Sequence, residues 1–157
     1  MPERTFGNAN SYLWVRFDDE VLDQWVGAFA SGDQLCSYAA LSQSGGWAFV
    51  LARGPGYFIK LDSRTLLGTT DVDYLVQALY VPDADIVVAC DFTDIYLYGP
   101  SGRVWCSGRV TYDGIELHEA QGASVSGAVW SIEQEEMVPF ELDVTRRVFR
   151  SNYAFQD

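Results

Sequence analysis

The chain has 157 residues, 48% of them hydrophobic and 15% aromatic, which is enough for one domain with a substantial core and too much for a disordered segment. Twenty-two Asp and Glu against ten Lys and Arg give a formal charge of −12. That charge disfavours a phosphate backbone or an anionic membrane as a direct ligand and favours a basic partner. The start, Met1-Pro2-Glu3-Arg4, lacks the basic-then-apolar pattern of a secretory signal, and no apolar run reaches the ~18 residues of a membrane span. Cys36, Cys90 and Cys106 form no CxxC pair and leave one thiol over. They read as buried structural thiols in a reducing compartment, so the expected location is the cytoplasm, with no membrane and no nucleic acid among the partners.

In chain order, the first element is a strand over Ser11–Phe17, where Leu13, Val15 and Phe17 alternate with Tyr12, Trp14 and Arg16. Asp18, Asp19 and Glu20 then supply a cap and an acidic first turn. Val21, Leu22, Trp25, Val26 and Phe29 recur at spacings of three and four and Gly32 follows, which predicts one amphipathic helix over about 19–30. From residue 34 onward short apolar runs alternate with turn chemistry: Ser-Gly-Gly at 44–46, Gly-Pro-Gly at 54–56, Gly-Pro-Ser-Gly at 99–102 and Asp-Gly at 113–114. The last reads as a type I′ hairpin. Phe58-Ile-Lys-Leu, Ile95-Tyr-Leu-Tyr and Phe140-Glu-Leu-Asp each open a strand, turn, arginine, strand pattern at offsets close to one four-stranded blade. The expected fold is a single domain over 1–157 that is mainly β. It is built of consecutive antiparallel meanders over about 34–70, 74–109 and 113–150, as a sandwich or partial propeller with the helix at its N-terminal side.

No catalytic motif stands out. His118 is the one histidine and lies in a strand-like run, without a nucleophile motif around it. Asp71-Val-Asp73 and Asp83-Ala-Asp85 lack the further ligands and the glycine of a calcium loop. Neither a metal nor another cofactor is expected. The five tryptophans, Trp14, Trp25, Trp47, Trp105 and Trp130, sit in apolar periodic runs and read as core, with Trp130 and Phe140 expected inside. Between Arg64 and Arg103 there are six acids and no base, and between Arg109 and Arg146 eight acids and no Lys or Arg.

Trp105, Arg109-Val110, Asp113-Gly114-Ile115, Gly127, Trp130 and Pro139-Phe140-Glu141-Leu142-Asp143 together resemble the pattern of a family of short bacterial proteins. That resemblance implies no activity. The profile of a small, acidic, motif-poor chain is also similar to that of bacterial immunity proteins, which neutralise basic toxins. The expectation is therefore a non-catalytic protein-binding domain of immunity or inhibitor type that neutralises a basic partner, a toxin or an enzyme. The alternative is a small sugar- or ligand-binding β domain using exposed aromatics. The expected contact residues are Glu133, Glu135 and Glu136 at a hairpin tip with Asp83 and Asp85 as companions. A second acidic group consists of Asp18, Asp19, Glu20 and Asp23.

Overall fold

The computed structural model describes residues 1–18 and 24–153. Strands β1 (Glu3–Phe6), β2 (Tyr12–Phe17) and β3 (Trp25–Ala30) form a first sheet in the order β1-β3-β2, with β3 antiparallel to β2 and parallel to β1. Three four-stranded antiparallel meanders follow. β4 (Ser37–Leu41), β5 (Trp47–Ala52), β6 (Gly56–Lys60) and β7 (Thr65–Thr69) make the second sheet; β8 (Gln77–Val81), β9 (Ile86–Cys90), β10 (Asp94–Gly99) and β11 (Gly102–Arg109) make the third. β12 (Ile115–Gln121), β13 (Ser124–Ser131), β14 (Glu136–Asp143) and β15 (Val148–Ser151) make the fourth. The turns at 44–46, 54–56 and 99–102 join strands within one sheet. Asp113-Gly114 instead leads from the third sheet into the fourth, so it is no hairpin.

The helix expected over 19–30 is replaced, where described, by β3; its first half lies outside the described residues. β3 is the middle strand of its sheet and buries both faces, so its apolar run is nearly continuous and mimics a helical stripe. Trp25 and Phe29 face the second sheet, whereas Val26 and Ala28 face the other way.

The core consists of three seams between successive sheets. Phe17, Trp25 and Phe29 pack on Ala48, Val50 and Ile59 in the first seam. Trp47, Phe49 and Leu51, on the opposite face of β5, pack on Val87, Ala89, Tyr96 and Tyr98. Val88, Cys90, Ile95 and Leu97, on the other face of β9 and β10, pack on Val125, Val129, Phe140 and Leu142. Phe140 is thus inside as expected. Trp130 is only half-buried, on the far face of β13, and Trp14 is 58% exposed. Both correct the expectation of an all-core tryptophan set. Cys90 is buried, Cys106 half-buried and Cys36 exposed, so one of the three thiols is not structural filling.

Side-chain clamps align the first strands of the meanders. The Tyr80 amide donates to Tyr38 Oη at 2.9 Å, and the Gln43 amide donates to Tyr80 Oη at 2.7 Å. Gln77 donates from Nε2 to the Leu117 carbonyl at 2.6 Å and accepts the Leu117 amide at 2.9 Å. β4, β8 and β12 therefore run in the same direction, and the tips that follow them gather at one end.

Candidate functional site

The first tips form one rim. Asp83 and Asp85 lie in and just after the 3-10 turn Pro82–Ala84 that joins β8 to β9. Asp85 has a left-handed backbone, φ 49°, a conformation aspartate tolerates better than most residues. Its carboxylate accepts from Tyr80 Oη at 2.6 Å and from Ser44 Oγ at 3.3 Å, which ties the β4–β5 tip to it. Burial and the nearby carboxylate push the Tyr80 hydroxyl above its ordinary pKa. Asp83 Oδ2 faces Gly122 of the β12–β13 tip. Asp18, at the end of β2, belongs to the same side: it lines a cleft with Ser42 and Gly45. It is partly neutralised by Arg16 at 3.1 Å and accepts from Gln24 Nε2 at 3.0 Å. Asp19, Glu20 and Asp23 lie outside the described residues.

Glu133, Glu135 and Glu136 sit elsewhere, at the β13–β14 tip. The eight residues of β13, at ~3.3 Å each, separate that tip from Gly122 and Asp83 by about 26 Å. The structure therefore does not bring Asp83 and Asp85 together with the three glutamates. All three glutamates are exposed, and among the described residues none joins an ion pair.

What the structure brings to the glutamate tip is apolar. Phe92, Tyr112 and Ile132 are 48%, 47% and 52% exposed and project from three turns laced together by backbone bonds. The Gly114 amide donates to the Phe92 carbonyl at 2.9 Å, the Trp130 amide to the Gly114 carbonyl at 2.9 Å, and Thr111 Oγ1 to the Trp130 carbonyl at 2.7 Å. Asp113 is exposed between them. Tyr153 packs below, and its hydroxyl is pushed above the ordinary value by burial, then by Glu133 and Tyr112. The signal for these residues was in the sequence. Each is an apolar side chain set inside turn chemistry, Asp91-Phe92-Thr93-Asp94, Tyr112-Asp113-Gly114 and Ile132-Glu133, where no strand face waits to bury it.

A second feature is the cleft of about 660 Å³ between the edge strands β2 and β4. The seams β4–β8 and β8–β12 are bridged by Tyr38, Tyr80 and Gln77, but the first sheet meets the second through β3 on β5. The resulting wedge is floored by Ala39, Ala40, Ala48 and Phe49 and walled by Val15, Phe17 and Trp25. Phe17 stacks on Trp25 at 4.2 Å between ring centroids. His118 contributes to neither feature; it is exposed on β12 and contacts Glu116 at 3.2 Å.

No protein-family model matches the chain, and no curated protein matches it. Among solved structures, a chain titled Kuenenia stuttgartiensis hydrazine synthase is similar over 79% of this chain and 51% of its own length, at 10% identity and a TM-score of 0.33. This chain thus spans about half the length of that match, and likeness at this level carries over neither fold nor function.

Proposed function

We propose that this chain is a non-catalytic binding domain that docks a basic protein, in the manner of an immunity or inhibitor protein. The observation that carries this reading is the β13–β14 tip, with three exposed glutamates free of counter-charges among the described residues, set beside half-exposed Phe92, Tyr112 and Ile132. Apolar anchors within a charged rim are the usual anatomy of a protein interface, and carboxylates facing a basic active site stand in for substrate phosphates. The occupant is a basic enzyme or toxin. Its binding is tested by co-expressing the chain with its neighbouring genes and titrating a basic protein that co-purifies against the wild type and a Glu133→Lys, Glu135→Lys, Glu136→Lys triple variant. Affinity should fall more than tenfold in the variant while Tm stays nearly constant, because tip charges add little to stability. Equal affinity for the two proteins overturns the reading.

The β2–β4 cleft favours a second reading, a small apolar ligand held against the Phe17–Trp25 stack. Its volume falls in the ~300–1,000 Å³ range of small-molecule sites. A saturable change in Trp25 fluorescence with one member of a metabolite panel, abolished by Ala40→Leu, would support it; no response across the panel ends it.

We also read the four successive sheets as an open arc of propeller-like blades, with β2, β4, β8 and β12 innermost. Support comes from the meander order within the second, third and fourth sheets and the common direction of β4, β8 and β12.

A further inference from the structure

The meanders that open with β4, β8 and β12 each leave that first strand as a sheet edge. In an antiparallel pair, alternate residues turn their amide and carbonyl toward the partner strand, and the residues between turn theirs away. The Ser42 amide bonds the Trp47 carbonyl at 2.9 Å, so Ser42, Ala40 and Tyr38 face β5. Ala39 and Leu41 then point their backbone groups off the edge. The same alternation leaves Tyr80 of β8 and Leu117 of β12 pointing off theirs. On those two strands a side chain from the preceding meander takes the free groups. The Tyr80 amide donates to Tyr38 Oη at 2.9 Å, and Gln77 both donates to the Leu117 carbonyl at 2.6 Å and accepts the Leu117 amide at 2.9 Å. The Gln77 side-chain amide thus does for Leu117 what one peptide unit of a neighbouring strand would do. On β4 the series breaks. Among the described residues nothing hydrogen-bonds the backbone of Ala39 or Leu41, and Arg16, which also lines the cleft, is turned to Asp18 at 3.1 Å.

Nothing blunts this edge either. Register shifts interrupt the pairing of the edge strands β7, β11 and β12, whereas β4 pairs with β5 without a shift and carries neither charge nor proline. The open backbone lies along the β2–β4 cleft, and Leu41, in its wall, is 60% exposed. We propose that the cleft takes an extended peptide of a partner protein, which adds to the free edge of β4 as a strand and lays an apolar side chain against the Phe17–Trp25 stack. This rests on the second reading above and deepens it: the apolar group is a side chain, and its backbone supplies to Ala39 and Leu41 the bonds that Gln77 supplies to Leu117. In such a site the backbone pairing gives affinity and the pocket selects the side chain. The cleft opens beside carboxylates, Asp18 in its wall and Asp85 bonded to Ser44, so the peptide it takes is basic at its ends.

The probes are the pentapeptides acetyl-Lys-X-Ala-X-Lys-amide, with X in turn Val, Leu, Phe and Tyr, long enough to span the five residues of β4. Calorimetric titration should show saturable binding of at least one of them. Amide exchange followed by NMR should then slow at least tenfold at Ala39 and Leu41, while Tyr38 and Ala40, already bonded to β5, change far less. N-methylation of alternate probe amides should weaken binding at least tenfold in one register and little in the other. Ala39→Pro, which removes an edge amide where an edge strand accommodates proline, should also weaken it at least tenfold. If that variant unfolds, the N-methyl series on the wild type decides. No binding by any probe at millimolar concentration overturns the proposal, as does binding that leaves exchange at Ala39 and Leu41 unchanged or is equally sensitive to both N-methyl registers. A metabolite that changes Trp25 fluorescence while every peptide fails also overturns it but leaves the small-ligand reading standing; failure of both panels ends the two together. Protection of Ala39 and Leu41 that grows with the concentration of the chain alone would assign the edge to a second copy, and overturns the proposal as well.

Discussion

Glu135 holds a left-handed backbone, φ 52°, at the tip where the three glutamates crowd. A side chain in that region costs about 1–2 kcal/mol, and glycine is free of the clash. Glu135→Gly should therefore raise unfolding stability by up to about 1 kcal/mol, or roughly 2–4 °C in Tm, while weakening binding of a basic partner. A lower Tm would mean that Glu135 earns its place through tip contacts. The opposite case is Gly127, in the middle of β13. A Cβ there would collide with the Glu116 carbonyl and the Phe140 ring, so Gly127→Ala should cost about 1–3 kcal/mol by denaturant unfolding. Residues at this scale were unevenly legible. The exposure of Glu133, Glu135 and Glu136 follows from charge in a turn, and Phe140 from its alternation with Glu141. Asp83 and Asp85 could be assigned to a loop, but which end of the molecule that loop occupies depends on clamps such as Gln77 to Leu117, forty residues apart.

At the scale of elements, β10 presents Tyr96 and Tyr98 to the second seam with their hydroxyls on carboxylates. Tyr96 donates to Asp91 at 2.7 Å and Tyr98 to Asp71 at 2.8 Å. Burial, then the bonded carboxylate, pushes both hydroxyls well above the ordinary 10.0. Because the folded values are raised, their stabilising contribution is complete below about pH 10 and is lost as pH climbs toward the folded values. Alkaline titration should show these two tyrosines ionising late, with their ultraviolet absorbance rising together with unfolding. Early, non-cooperative ionisation of every tyrosine would contradict their placement. The meanders were legible for the same reason that β10 is well formed: Gly-Pro-Ser-Gly and its counterparts fix where strands end. β3 was not, because a strand buried on both faces has no polar alternation, and Asp18 to Glu20 before it resemble a helix start. Glu3–Phe6 was missed as well. Its pairing is parallel to β3 across twenty-odd residues, and no local turn announces it.

For the whole molecule, the sum of the charges matters more than any pair. Asp18 and Asp71 are each held by an arginine, Arg16 at 3.1 Å and Arg103 at 3.3 Å, and contribute little net field. The β13–β14 tip, with Asp113 alongside, keeps its full negative charge among the described residues. A basic partner approaching this molecule should therefore be drawn toward that rim before any contact forms, and the effect should appear in the association rate rather than the dissociation rate. Raising ionic strength from 0.1 M to 1 M shortens the screening length from ~10 Å to ~3 Å. Stopped-flow mixing with the basic protein should then show k_on falling by at least tenfold across that range, with k_off changing far less. The Glu133→Lys, Glu135→Lys, Glu136→Lys variant separates local from global charge. It moves the net charge by +6, from −12 to −6, by reversing three glutamates. A variant reversing three glutamates elsewhere, Glu116, Glu119 and Glu141, makes the same net change. If the rim steers, the first variant loses most of the salt dependence and the second keeps it. Equal losses in both would assign steering to the overall charge, and a flat k_on in the wild type would leave the acidic surface a role in solubility alone.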